Sequence, residues 1–259
     1  MIIAAGDSFV YGSELASPAN TFTALLGADE CVAWPGYSND AIARTTIERC
    51  EQGDVDGVIV SWTFPSRYEF RFAYDTGQKK SPWYSINPWT INSANDIEAE
   101  FVTKDANILE AHKRTIERAQ KTGVADFARE FYKHIGGSEY WEIYSSLKEI
   151  VYLQNYLVLN NIPFLFTCAD NSIFYNYTIN NPDSVISSIY NQIDLTRWFW
   201  FPEGTGSNQT EAPRGFYQWA IENKYDIGTT HPLEQAHIDA SKLMQGKFNE
   251  LVKNNIQSH

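Results

Sequence analysis

Residues 1–12 of the chain read MIIAAGDSFVYG. The apolar run over residues 1–5 stops at Gly6, Asp7 and Ser8, which is the pattern of a short buried β-strand followed by a turn. Three further apolar runs end at turns in the same way, and they cover residues 31–34, 58–62 and 163–168. Continuous apolar strands of this length are typical of a parallel sheet that is covered on both faces. We therefore expect a mostly parallel sheet of four to five strands.

Helical patterns lie between the expected strands. They cover residues 21–27, 108–119, 147–158 and 233–251. Because strands and helices alternate, the sequence predicts an α/β fold, a three-layer α/β/α sandwich. We expect one domain over residues 1–259, with long aromatic-rich insertions at residues 65–107 and 170–215, where no clear period is found.

The composition limits the classes of function. Twenty Lys and Arg against 32 Asp and Glu give a formal net charge of −12, whereas a nucleic-acid-binding protein needs a basic face. No stretch approaches the roughly 18 apolar residues of a membrane span, and the first residues lack the basic region of a signal peptide. Three scattered cysteines without a C-x-x-C pair suit a reducing compartment. We therefore expect a cytoplasmic protein with neither a nucleic-acid nor a membrane partner.

Aromatic residues are abundant, with 15 Phe, 15 Tyr and 8 Trp. They indicate either a core filled with aromatic rings or an aromatic-lined binding surface. Trp83 and Trp89 lie in the first aperiodic insertion, and Trp198 and Trp200 lie in the second. These rings would either contact a substrate or close the core from above, and we take Trp83 and Trp89 as candidate substrate contacts.

Two residues near opposite ends of the chain are candidates for catalysis. Ser8 directly follows the first strand, and a serine there lies at the carboxyl edge of the sheet, where open α/β sheets bind ligands. Asp7 and Ser8 would equally serve as a helix cap. His231 lies in a loop just before the last helix, where it is either a general base for a serine or a surface histidine at a helix cap.

Taken together, Gly6-Asp7-Ser8 and His231-Pro232 resemble the motifs of the SGNH hydrolases, also called GDSL esterases and lipases. Residues 34–39, WPGYSN, are similar to the second block of that family. The resemblance spans the chain and implies an SGNH/flavodoxin-like sandwich with Ser8 as the nucleophile and His231 as the base. It also implies an oxyanion hole that contains the amides of Ser8 and Gly36.

The third strand departs from the family, whose third block contains an asparagine that donates to the oxyanion. Residues 61–67 read SWTFPSR and contain no asparagine. Asn39 or Thr63 would have to replace that donor, and we include Asn39 in the expected oxyanion hole and Thr63 among the substrate contacts. Arg67 would either bind an anionic group of the substrate or form a structural ion pair, and we favour the ion pair. This variant of the block is similar to uncharacterised GDSL-like proteins, some from tailed phages.

The acid of the expected triad is also displaced. The family usually has an aspartate three residues before the histidine, and that position holds Gly228 here. Asp226 lies in the loop that leads to His231, and Gly228 would let that loop fold back on itself. We therefore expect Asp226 to be the acid. Glu234, or a Ser–His dyad aided by a backbone carbonyl, is the alternative.

These residues predict a serine hydrolase that cleaves a carboxylic ester through an acyl-enzyme on Ser8. The expected substrate is a small-molecule or glycan ester, as for an esterase, lipase or acetyl-sugar deacetylase, and the chemistry needs no metal and no organic cofactor. The alternative is a catalytically inactive SGNH-fold protein that binds glycans or serves in a phage or surface assembly. A nucleotide-binding protein fits less well, because Gly6-Asp7-Ser8 lacks a glycine-rich phosphate motif.

Overall fold

The computed structural model describes residues 1–77, 82–91, 106–179, 183–202 and 213–253. The strands found in these residues are β1 (Ile2–Ala5), β2 (Glu30–Cys31), β3 (Gly57–Trp62), β4 (Tyr68–Arg71), β5 (Trp83–Ile86) and β6 (Phe164–Cys168). Four of them form a parallel sheet in the order β2-β1-β3-β6, and β4 pairs with β5 in a separate antiparallel ribbon. The expected α/β sandwich with a parallel sheet is therefore confirmed.

Helices flank the sheet, and two helices over residues 106–131 pack instead with the β4–β5 ribbon. The helices are α1 (Ser8–Tyr11), α2 (Phe22–Leu26), α3 (Asn39–Cys50), α4 (Ala106–Lys121), α5 (Val124–Phe131), α6 (Glu139–Leu159), α7 (Ser172–Ile179), α8 (Ser184–Tyr190), α9 (Phe216–Glu222) and α10 (Glu234–Phe248). Single helical turns lie at Pro18–Asn20, Pro88–Ile91, Tyr132–Gly136, Leu195–Arg197 and Asn249–Lys253. In the described part of the chain, no helix is both long enough and apolar enough to cross a membrane.

The sheet is buried on both faces, which explains its continuous apolar strands. All six residues of β3 are buried, and alternate side chains point to opposite faces. Val58 and Val60 join the core cluster that includes residues of α3 and α6, whereas Ile59 joins the cluster that includes residues of α2, α9 and α10. The two faces therefore have separate cores, each closed by its own layer of helices.

The strand order reverses between β1 and β3. After β1 the chain forms β2, which lies on one side of β1, and then β3, which lies on the other side. Open α/β sheets bind ligands at such a switch point, beyond the carboxyl ends of the strands. Ser8 follows β1 and Thr63 follows β3, so the topology places both at this point.

Trp198 and Trp200 of the second insertion belong to the core. Trp198 is 3% exposed, and its ring packs against Phe166 and Phe174. Trp200 stacks on Trp198 with ring centroids 4.8 Å apart. Of the two interpretations of these rings, the structure therefore supports closure of the core.

Candidate active site

Ser8 lies at the turn between β1 and α1. The Asp7 carboxylate accepts a hydrogen bond from Phe9 N at 3.1 Å, so Asp7 caps the helix and the Ser8 hydroxyl is left for another contact. That contact is His231, whose Nε2 lies 2.7 Å from Ser8 Oγ. The structure thus brings together two residues that are 223 positions apart in the chain.

His231 is held by a tight turn before α10. Gly228 N donates to His231 O at 2.8 Å, and Leu233 N donates to Asp226 O at 2.9 Å. The imidazole packs on the ring of Phe9, with centroids 4.7 Å apart. Because Phe9 directly follows Ser8, this contact aligns the histidine with the serine.

The carboxylate beside His231 belongs to Glu14. Glu14 Oε1 lies 2.7 Å from His231 Nδ1. The choice of Asp226 as the acid was wrong: the backbone pairing around residues 227–232 leaves Asp226 exposed. Glu234 does not take this place either, because its carboxylate accepts a hydrogen bond from Ala16 N at 2.8 Å.

Several donors hold the Glu14 carboxylate in place. Thr230 donates to Oε1 from its backbone N at 3.1 Å and from its hydroxyl at 3.0 Å, and Thr229 N donates to Oε2. Burial raises the pKa of the Glu14 carboxyl, but the hydrogen bonds from His231, Thr229 and Thr230 outweigh it, and the pKa lies below its ordinary value of 4.5. An ionised Glu14 accepts from Nδ1–H, so Nε2 is left as the acceptor for the Ser8 hydroxyl.

Sequence reasoning missed Glu14, because its most unusual feature is a backbone conformation that only the structure shows. Glu14 has a φ of 69°, in the left-handed region that few non-glycine residues occupy. Such strained positions are concentrated at functional sites, but no residue pattern in the chain predicts the left-handed backbone at Glu14. The signal that the sequence did carry was Gly228 at the usual aspartate position, which indicated that the acid must come from elsewhere.

A cavity of about 550 Å³ opens beside Ser8 and His231. Trp89, which was expected to contact the substrate, lines it, and so do Arg67, Tyr84 and Asn87 of the same insertion. Trp83 does not line the cavity, because its ring packs against the Arg44 guanidinium, 5.1 Å from Cζ to the ring centroid. The segment around β5 therefore forms one wall of the cavity, and only part of its aromatic surface faces inward.

His112 of α4 also lines this cavity. The side chain of His112 is half-buried. Burial lowers the pKa of His112, and the nearby charge of His231 lowers it further. A second imidazole, neutral at neutral pH, therefore stands in the wall of the site.

Asn39 does not have its expected place in the oxyanion hole. It is 2% exposed, and its Oδ1 accepts from Thr63 N at 2.9 Å while its Nδ2 donates to Thr63 O and to Ser146 Oγ. An amide used in this way has no donor for a substrate. Asn39 instead fixes the backbone that follows β3.

Thr63 and Arg67 meet at the carboxylate of Asp7. Thr63 Oγ1 donates to Asp7 Oδ2 at 2.5 Å, and Arg67 Nη1 donates to the same oxygen at 2.9 Å. Thr63 and Asp7 are both fully buried, so Thr63 does not contact the cavity. The favoured structural ion pair of Arg67 is confirmed.

Ser8 and Gly36, the residues whose amides were expected to form the oxyanion hole, both line the cavity. Gly36 has a φ of 84°, a conformation that glycine adopts without strain, and it stands in the cavity wall with Ser8. Within the described ranges of the chain, neither the Ser8 nor the Gly36 N–H has an acceptor. Both are thus available to a ligand.

Comparison of the chain with family models, with curated proteins and with solved structures found no match in any of the three. Among the described residues, no group of three or more His, Cys, Asp or Glu is arranged to hold a metal ion. The interpretation of the site therefore depends on its geometry.

Proposed function

We propose that this protein is a serine ester hydrolase of the SGNH type, with Ser8 as the nucleophile, His231 as the general base and Glu14 as the acid. The observation that carries the proposal is the hydrogen-bonded line from Ser8 Oγ through His231 to Glu14, with two contacts of 2.7 Å. A serine is a weak nucleophile without an adjacent base. The base is most effective when a third group fixes its tautomer and stabilises the imidazolium.

The proposed reaction has two halves. Ser8 Oγ forms a bond to the carbonyl carbon, its proton moves to His231 Nε2, and the carbonyl π electrons move to the oxygen. When the oxyanion collapses, the bond to the leaving alcohol breaks and the alkoxide takes the proton from His231. Water then attacks the acyl-enzyme with His231 again as the base, which releases the acid and restores Ser8.

The amides of Ser8 and Gly36 supply the proposed oxyanion hole. Each such donor that is aimed at the developing charge is typically worth about 10²–10³ in rate. The cavity suits a small-molecule or glycan ester, because its 550 Å³ falls within the usual range of ligand pockets, about 300–1,000 Å³. Its lining of Trp34, Phe64 and Trp89 suits the apolar or ring-shaped part of such a substrate.

A fluorophosphonate probe tests the proposal directly, because it reacts only with an activated serine. We expect labelling of the wild type at Ser8, located by mass spectrometry, and none of Ser8→Ala. Ser13→Ala is the matched control, since Ser13 also lines the cavity but makes no hydrogen bond with a histidine in the described contacts; it should be labelled like the wild type. If the folded wild type is not labelled, the proposal fails and the non-catalytic glycan-binding alternative takes its place.

We also propose that the protein works in a reducing compartment such as the cytoplasm. Cys31, Cys50 and Cys168 are all free, and two of them are buried. Rapid alkylation of the protein in its native setting, followed by denaturation and mass spectrometry, should find all three thiols reduced. A disulfide between any two would contradict this placement.

A further inference from the structure

Arg67 lies between the two segments that carry the free amides. Its Nη1 donates to Asp7 Oδ2 at 2.9 Å and to Tyr37 O at 3.4 Å. Asp7 is the residue before Ser8, and Tyr37 is the residue after Gly36. One guanidinium nitrogen thus joins the neighbours of both backbone donors, and the side chain lines the same cavity.

The guanidinium has donors that the protein does not use. Arg67 is 8% exposed, and its hydrogen bonds to the other described residues, including one to Thr63 Oγ1 at 3.0 Å, are all donated by Nη1. Arginine has five N–H donors, and those on Nε and Nη2 find no acceptor among the residues that the structure describes. These nitrogens are not among the fully buried polar atoms that lack a partner, so they are accessible from the cavity that Arg67 lines, where a ligand can accept from them.

The surrounding charges restrict what that ligand is. The buried Asp7 carboxylate already balances the charge of Arg67, and the ionised Glu14 stands in the same cavity wall. A substrate with a full negative charge of its own would meet both carboxylates. An oxygen that becomes negative only as His231 becomes positive does not add to the charge of the site.

We propose that Arg67 is a third oxyanion donor, which hydrogen-bonds the carbonyl oxygen of the substrate as Ser8 attacks. The inference rests on the proposed function and assigns a catalytic residue to it. Asn39 is unable to fill this role because its amide is bound to Thr63 and Ser146. A guanidinium held in advance by Asp7, Thr63 and Tyr37 needs no reorganisation when the charge develops, which is the condition for strong transition-state stabilisation.

The test is the hydrolysis of a neutral ester, p-nitrophenyl acetate, by Arg67→Gln. We expect kcat to fall by about 10²-fold or more, the effect of losing one oxyanion donor, while KM stays within about threefold, since the contact forms only in the transition state. Arg44→Gln is the matched control. Arg44 also pairs with a buried carboxylate, Glu69, and contacts an aromatic ring, but it does not line the cavity. It should keep kcat within about twofold.

Arg67→Lys separates catalysis from folding, because lysine keeps a cation for Asp7 but has no planar fork to reach two sites. It should retain the melting temperature within a few degrees and still lose at least about tenfold in kcat. The inference would be overturned if Arg67→Lys had the kcat of the wild type. It would also be overturned if the substitution changed only the KM for an ester that carries a carboxylate. Failure of the proposed function looks different, because the wild type itself would then neither cleave the ester nor react with fluorophosphonate.

Discussion

The carboxylate of Glu14 fills the space that a side chain at Gly228 would need. A Cβ at residue 228 would overlap Glu14 Oε2 and come within 3.2 Å of Leu233 Cδ2. Residue 228 stands three positions before His231, where the resemblance to SGNH hydrolases leads one to expect an aspartate. The loop before the histidine therefore leaves a gap, and a carboxylate from the loop after α1 occupies it.

Replacing Glu14 with glutamine should strongly lower activity. The amide removes the negative charge and can present an N–H to Nδ1, which favours the wrong imidazole tautomer. We expect kcat on p-nitrophenyl acetate to fall by about 10²–10⁴-fold, because an equivalent change in a serine protease triad costs about 10⁴. Asp226→Asn is the control, and it should lose less than twofold because Asp226 is exposed. Equal losses in the two variants would contradict the role of Glu14.

A carboxylate placed at residue 228 should be able to take over the role of Glu14 beside His231. Gly228→Asp alone should lower both activity and melting temperature, because the new side chain overlaps Glu14. A Glu14→Ala background removes the overlap and leaves only the 3.2 Å approach to Leu233 Cδ2, and Gly228→Asp should there restore at least about tenfold of the lost kcat. Glu14→Ala with Gly228→Ala is the matched control, and it should restore none. A folded Asp variant that recovers no activity would count against this geometry.

Trp89 should affect substrate binding, and Trp83 should not. Trp89 lines the cavity and is 41% exposed, whereas Trp83 packs on Arg44. Loss of an aromatic contact worth about 0.5–1.5 kcal/mol raises KM about 2–13-fold, so Trp89→Ala should show this increase with aryl esters. Trp83→Ala should instead lower the melting temperature with KM unchanged. Similar KM values for all three proteins would exclude Trp89 as a substrate contact.

His237 should make the fold sensitive to acid. It is 1% exposed, and its Nδ1 accepts a hydrogen bond from Phe22 N at 3.1 Å, so this nitrogen is unprotonated in the folded state. Burial lowers the pKa of His237 from 6.5 to about 4, and the charge of His231 adds to this effect, while the nearby Glu234 opposes it. Because the pKa is lower in the folded than in the unfolded state, the stabilisation is complete above about pH 6.5 and is lost as the pH falls toward 4.

His237→Asn isolates this effect, because asparagine keeps an acceptor for Phe22 N but does not titrate. The free energy of unfolding, measured with urea at pH 7.5, 5.5 and 4.5, should fall more steeply in the wild type. Below pH 6.5 the difference between the two proteins should change by up to about 1.4 kcal/mol per pH unit. A difference that is constant with pH would show that His237 is not the titrating group.

Much of the fold was predictable because its signals are local. The apolar runs over residues 1–5 and 163–168 predicted β1 and β6. The helical spacing of apolar residues over 233–251 predicted α10. The prediction from the second apolar run, residues 31–34, was less accurate, because β2 covers only Glu30–Cys31. Val32 N still donates a hydrogen bond to Ala4 O at 2.8 Å. The chain turns away at Pro35 and Gly36, and this shortens the strand.

The roles of polar side chains were harder to predict from the sequence than the helices and strands that carry them. Asn39 was expected to donate to an oxyanion, but its amide is saturated by Thr63 and Ser146. Ser146 lies 107 positions further along the chain, and no periodic pattern links residues at such a distance. Whether an amide is free or bound depends on which side chains the packed helices bring to it.

The sequence by itself determined the layered α/β architecture and the places of Ser8 and His231 at a strand end and a helix entry, because hydrophobic periodicity and turn residues act over a few positions. Only the tertiary structure decided which carboxylate serves His231. That choice depends on a contact across 217 positions, on a left-handed backbone at Glu14 and on the missing side chain of Gly228. The contact and the backbone conformation have no local signature, since each arises when segments distant in the chain are packed together, and Gly228 by itself does not show which carboxylate takes the place of the absent one.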